Sequence, residues 1–206
     1  MSRWQAPPAE VRLLSRFLFS CRLPVVHVGE KATISLFQTL ITCAAWYIPP
    51  EWLEPSEEAP RNILEAAQLA QRLASKGNRH IPYSKIPLII HQTWKDTNLV
   101  TWKPDILEGV ERWLTYATAG GDQSMAYFLW LDDGCKDLIS GMQPELVDYV
   151  DAMPLMVEKS DVFRVLVVNL IGGVVGLPIA SKTSVSDVLA VWRCRHAATP
   201  VTSLMA

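Results

Sequence analysis

Three places in the sequence put chemically useful side chains where an apolar segment ends. IPLIIHQTW (86–94) runs from aliphatic residues into His91, Gln92 and Trp94, and MAYFLWLDDG (125–134) closes on Asp132, Asp133 and a glycine. SDVFRVLVVNLIGG (160–173) sets Asp161 and Arg164 ahead of an apolar run that ends in Gly172 and Gly173. His91 could polarise or bind a ligand, Trp94 could stack on a flat base, and the acid pair could hold a cation. Each also has a plain structural use, as a hydrogen-bonded histidine, a core indole or ordinary strand-end turn chemistry. Asp161 and Arg164 stand three apart, on one helix face, and can pair with each other. Beside apolar sequence such charges are buried only with a partner or a polar ligand. No Ser-His-Asp, HExxH or P-loop pattern is present.

The elements that must position these groups alternate. The apolar runs at 86–94 and 125–134 read as buried strands whose carboxyl ends open on a site. PDILEGVERWLTYATAGG reads as a helix from Pro104, with Ile106, Leu107, Val110, Trp113, Leu114 and Ala117 on one face and Gly120-Gly121 after it. Short helices are expected in CKDLISGM and PELVDYVDAM, and a buried helix from about Val157 to Ile171. Strands alternating with helices imply an α/β layer with parallel strands, and in such sheets ligands bind beyond the strands' carboxyl ends. Upstream, RNILEAAQLAQRLASKGN has helical spacing on Ile63, Ala66, Ala67, Ala70, Leu73 and Ala74, with Gly77 placed to end it. It is either a stem helix or the first layer of the domain.

The chain has 206 residues, half of them hydrophobic, and a net charge of −2, which gives no electrostatic case for nucleic acid. The four cysteines are scattered without a CxxC pair, so neither a zinc site nor a disulfide framework is suggested. ATISLFQTLITCAAWYIPP (32–50) is uncharged, with Arg3, Arg12, Arg16, Arg22 and Lys31 before it and Glu51, Glu54, Glu57 and Glu58 after it. A bilayer-spanning helix needs about 17–25 residues, so this stretch reads as a signal anchor, with Trp46 and Tyr47 at the membrane interface. A buried amphipathic helix is the competing reading. The acidic, proline-bearing stretch 54–60 reads as a stem. A second membrane span over Val165 to Ala180 is a minor reading, weakened by Asn169, three glycines and Pro178.

Taken in order, IPLIIHQTWK, YFLWLDDG and EKSDVFRVLVVNLIGGV resemble the fungal Golgi glycosyltransferases of family 32. The likeness is nearest to initiation-specific α-1,6-mannosyltransferases and more distant to inositolphosphorylceramide mannosyltransferases, and it spans roughly residues 86–174. It implies an α/β fold class: an incomplete GT-A domain, its Rossmann-like nucleotide-binding half preceded by an N-terminal transmembrane helix. The expected divisions are a cytosolic tail (1–31), signal anchor (32–50), stem (51–84), partial nucleotide-sugar-binding domain (85–174) and divergent tail (175–206). It also implies a single-pass type II protein of the Golgi membrane, with GDP-mannose as donor and an N-linked glycan or a sphingolipid as acceptor. By the same resemblance His91, Gln92 and Trp94 border the nucleotide, and Asp161 and Arg164 contact the donor's sugar part. Gly172 and Gly173 let the backbone approach the donor, while Asp132 and Asp133 form a candidate strand-end site.

Family sequences continue from the paired glycines to an Asp-x-Asp that holds a divalent cation, usually manganese, on the diphosphate. Here residues 175–186 contain no acid, and Asp187 stands without a partner. A splice variant, a frameshift or a faulty gene model would each give a family-like body with such a tail. No metal ligands are therefore assigned in this chain, manganese binding is not expected, and little or no mannosyl transfer is expected of it. A non-catalytic, membrane-anchored binding subunit is the reading from another functional class.

Overall fold

A computed structural model of the chain describes residues 45–118 and 124–176. In sequence order the elements are β1 (Trp46–Tyr47), α1 (Ile63–Lys76), β2 (Ile89–Thr93), α2 (Pro104–Thr118), β3 (Ala126–Trp130), α3 (Asp132–Met142), α4 (Val147–Asp151), α5 (Met156–Leu170) and β4 (Val174–Val175). Single 3-10 turns lie at Pro50–Trp52, Leu99–Thr101 and Pro144–Leu146.

The two apolar runs form the centre of the sheet. All five residues of β3 are buried, as are the first four of β2, which is why neither segment alternates with polar residues. They pair in parallel, Ile89 opposite Ala126 through Thr93 opposite Trp130, so both strands end at the same edge. The sheet order is β1-β3-β2-β4, with β4 parallel to β2 and β1 antiparallel to β3. β4 straddles the expected boundary at residue 175, since Val175 pairs with His91.

Helix α1 starts where Asn62 accepts a 2.8 Å bond from the Glu65 amide and stops at Gly77. The left-handed residue after it is Asn78 (φ 50), not Gly77. Its predicted face is the buried one, with Ala66, Ala67, Ala70, Leu73 and Ala74 in the core and Ile63 at its margin. Small side chains allow neighbours close: a Cβ on Gly141 of α3 would come within 3.1 Å of Leu64, and one on Gly134 within 2.9 Å of Ile63. Gln71 donates 2.8 Å to the Leu170 carbonyl, joining α1 to the end of α5. Of the two readings of this helix, the first layer of the domain is the one the structure adopts.

The expected fold class needs correction to a mixed α/β unit with a four-stranded sheet. The C-terminal end of the proposed membrane span is part of that sheet: Trp46 pairs with Phe128 and Tyr47 with Tyr127, and Leu129 donates 2.8 Å to the Ala45 carbonyl. Ile48 and Trp52 follow into the core, and the Arg79 guanidinium lies 5.2 Å from the Trp52 ring centroid. The apolar residues here cover the edge of β3, and Trp46 and Tyr47 mark no membrane interface. Among the described residues no helix is long and apolar enough to cross a membrane. Residues 32–44 of the proposed span, and the Gly120-Gly121 stop, lie outside the described residues.

Helix α5 also differs from expectation. The sequence predicts a buried helix here, yet within α5 only Phe163 and Val167 are buried, and Val157, Val165 and Val168 face outward. It ends at Leu170 and the chain turns through Gly172 (φ +85) and Gly173 (φ +92) into β4, so Val165–Val175 does not form a second span.

Candidate functional site

Strands β2 and β3 finish side by side, and the Trp94 amide donates 3.0 Å to the Trp130 carbonyl just past their ends. Beyond that edge lies a cleft of ≈ 440 Å³. Its floor is Thr93, Trp94 and Trp130; one wall is the start of α3 (Asp132, Cys135, Lys136, Ile139), the other the first half of α5 (Met156, Val157, Lys159, Ser160, Arg164). This is where ligands bind in open sheets with parallel strands.

His91 lies under the cleft, not in its lining. It is 1% exposed and stacks on Phe128, ring centroids 5.7 Å apart. The Trp130 indole N–H donates to its Nδ1 at 3.0 Å, which leaves Nε2 to carry the proton and donate to the Gly172 carbonyl at 2.9 Å. Burial pushes its pKa down to about 4, against the opposing pull of the Gly172 bond, so the ring is neutral at physiological pH. Gln92 is also buried; its Oε1 accepts 2.8 Å from the Tyr127 hydroxyl, and its Nε2 has no acceptor. These two residues hold the sheet and the glycine turn together beneath the site.

Trp94 does line the cleft. Its ring meets Trp102 edge-on at 5.5 Å and 61°, and its buried indole N–H has no partner. Trp102 is fixed in turn, donating 3.0 Å to Asp96 Oδ1, which also accepts 2.9 Å from the Asn98 amide. The bond from Trp102 holds the Asp96 carboxyl below the usual range.

Arg164 joins α5 to the strand end. Its Nη2 donates 3.2 Å to Thr93 Oγ1, its Nη1 pairs with Asp161 Oδ1 at 2.5 Å, and its Nε is buried without a partner. Ser160 Oγ lies 3.3 Å from the same Thr93 hydroxyl. Asp161 points outward and stays off the cleft lining, so the pair is split: the guanidinium serves the cleft and the carboxylate anchors it.

Asp132 and Asp133 open α3, where carboxylates favour the exposed amides of the first turn. Asp132 lines the cleft and Asp133 does not. Cys135 is inert as a nucleophile, because burial, aided by Asp132, pushes its thiol up to about 12. Gly172 and Gly173 sit behind β2 at the turn, where a Cβ on Gly173 would come within 2.4 Å of the Ile89 carbonyl oxygen. The structure thus gathers Trp94, Arg164 and Asp132 at the cleft, and sets His91, Gln92, Gly172, Gly173, Asp133 and Asp161 around it.

The residues that sequence reasoning passed over are Thr93, Lys95, Lys136, Lys159 and Ser160. Spacing held a signal for some of them: Lys136 is one helical turn beyond Asp132, and Ser160 one turn before Arg164.

Among curated proteins the similarity is to mannosyltransferases, consistent with a glycosyltransferase family. Inositol phosphoceramide mannosyltransferase 2 of Schizosaccharomyces pombe is 33% identical over 88 residues, covering 43% of this chain and 23% of that protein. Inositol phosphoceramide mannosyltransferase 3 of the same organism is 31% identical over 91 residues, again 43% and 23%. The chain therefore spans about a quarter of the length of these curated relatives. No protein-family model and no solved structure matches it.

Proposed function

We propose that the cleft binds the donor of a family 32 glycosyltransferase, a nucleotide-linked mannose such as GDP-mannose. The observation that carries this reading is the meeting of an indole and several cations beyond two parallel strand ends, with Trp94 at the floor and Lys136, Lys159 and Arg164 on the helices that line it. An aromatic face suits the base, and charge-assisted hydrogen bonds suit the diphosphate. Asp132 would accept from a sugar hydroxyl at the same mouth.

For the acceptor, inositolphosphorylceramide is favoured over an N-linked glycan. The names of the two relatives support it, and so does the cleft's rim, where Leu155, Met156 and Val157 are 55–59% exposed. Exposed apolar side chains beside the cleft's cations suit a headgroup whose tail stays in lipid. The α-1,6-mannosyltransferase of N-glycans is the second reading, carried by the order of the three sequence motifs. In either case this chain binds the donor and transfers little, because residues 175–186 supply no acid after the glycine turn.

Saturation-transfer NMR with GDP-mannose tests the donor site. Contacts on both guanine and mannose protons are expected; contacts on neither reject the reading. Co-sedimentation with vesicles containing inositolphosphorylceramide, with free high-mannose glycan as competitor, then decides the acceptor.

A further inference from the structure

Among the described residues four cationic side chains line the cleft, Lys95, Lys136, Lys159 and Arg164, against two carboxylates, Asp132 and Asp151. A divalent cation bridging a diphosphate asks for converging hard oxygen ligands. The two acids come from different helices, α3 and α4, and among the described residues no three His, Cys, Asp or Glu side chains gather to hold a metal. Among the described lining residues the cations outnumber the carboxylates, which disfavours a further cation there. The residues of the cleft do not fit a resident divalent ion.

They do fit an anion. Lys159 Nζ is steered by a 3.1 Å bond to the Asp151 carbonyl, a neutral acceptor that leaves its charge uncompensated. Among the described residues neither Lys136 nor Lys159 pairs with a carboxylate. Arg164 is held by Thr93 and Asp161 through its two terminal nitrogens, which leaves the buried Nε–H as an unused donor. A buried donor without an acceptor is costly unless a ligand supplies one. Two ammonium groups without a carboxylate partner and a pre-oriented guanidinium, carried on α3 and α5 at one cleft, suit a bridged pair of phosphates.

We infer that the cleft holds a diphosphate directly, with Lys136, Lys159 and Arg164 in the place a divalent cation would otherwise take. This rests on the proposed donor site but is a separate claim about it, namely that the anion is bound without metal. Lys136 is exposed and Lys159 half-buried on helix surfaces, so substituting them leaves the core untouched.

The test is calorimetric titration of the full chain with GDP, once in EDTA and once in manganese, on wild type and on the double variants Lys136→Gln/Lys159→Gln and Lys136→Arg/Lys159→Arg. The expected result is binding within about two-fold in the two buffers, about ten-fold or more weaker in the glutamine variant and restored in the arginine variant. Thermal unfolding checks that all three chains are folded. Binding only in manganese overturns the inference and leaves the donor site standing. Wild-type affinity in the glutamine variant also overturns it. No GDP binding in either buffer removes the donor site itself.

Discussion

His91 Nε2 lies 2.9 Å from the carbonyl oxygen of Gly172, 81 residues away, and that bond ties the central strand to the turn entering β4. With Trp130 on the other ring nitrogen, the imidazole is a fastening between β2, β3 and the paired glycines. The cleft is built on top of it.

Replacing His91 should therefore act on stability before it acts on binding. His91→Ala opens a cavity and leaves both the Trp130 N–H and the Gly172 carbonyl unsatisfied, for a loss of about 3 kcal/mol. Urea unfolding measures it. A loss below about 1 kcal/mol would show that the two bonds are dispensable.

The same ring makes stability depend on pH. Its folded pKa, about 4, lies below the ordinary 6.5, so between those values the unfolded chain binds the extra proton and the folded one does not. Stability from this group is complete above pH 6.5 and falls as pH drops towards 4, by on the order of 3 kcal/mol across the window. Unfolding free energies of wild type and His91→Gln, measured from pH 7 to pH 4, should converge as the pH is lowered. Parallel curves would contradict the assignment.

The two glycines should differ. Both have positive φ, but a Cβ on Gly172 meets the Pro87 ring at 2.7 Å, whereas one on Gly173 meets the Ile89 backbone oxygen at 2.4 Å. A side-chain ring can shift more easily than a paired strand. Gly173→Ala should cost about 2 kcal/mol or more, and more than Gly172→Ala, with strain common to both. Equal losses in denaturant titration would show that β2 yields at Ile89.

Removal of residues 1–54 tests the corrected N-terminal reading. It deletes β1, Ile48 and Trp52, so the edge of β3 is bared and a core tryptophan lost. Burial of such a residue contributes about 3–5 kcal/mol, and the thermal midpoint should fall sharply. An unchanged midpoint would mean that residues 45–54 are a tether, as a membrane segment followed by a stem would be.

Much of this architecture is legible in the sequence. The strands at Ile89–Thr93 and Ala126–Trp130 and the helices around them follow from apolar runs and helical spacing, and Asp161 with Arg164 pair as their separation of three allows. Strand β1 is not legible, because two residues show no period and their apolar neighbours imitate a membrane segment. The role of His91 is hidden for another reason: its partners lie 39 and 81 residues away. The cleft's lysines are scattered over α3, α5 and the loop after β2, and only folding brings them to one mouth.

The central claim is that Trp94 and Arg164 frame one binding site for a nucleotide-linked sugar. Its most direct test is calorimetric titration of GDP-mannose into the full chain and into Trp94→Ala and Arg164→Gln. Saturable binding by the wild type is predicted, weakened about ten-fold or more in each variant while both stay folded. No binding by the wild type, or unchanged affinity in both variants, would contradict it.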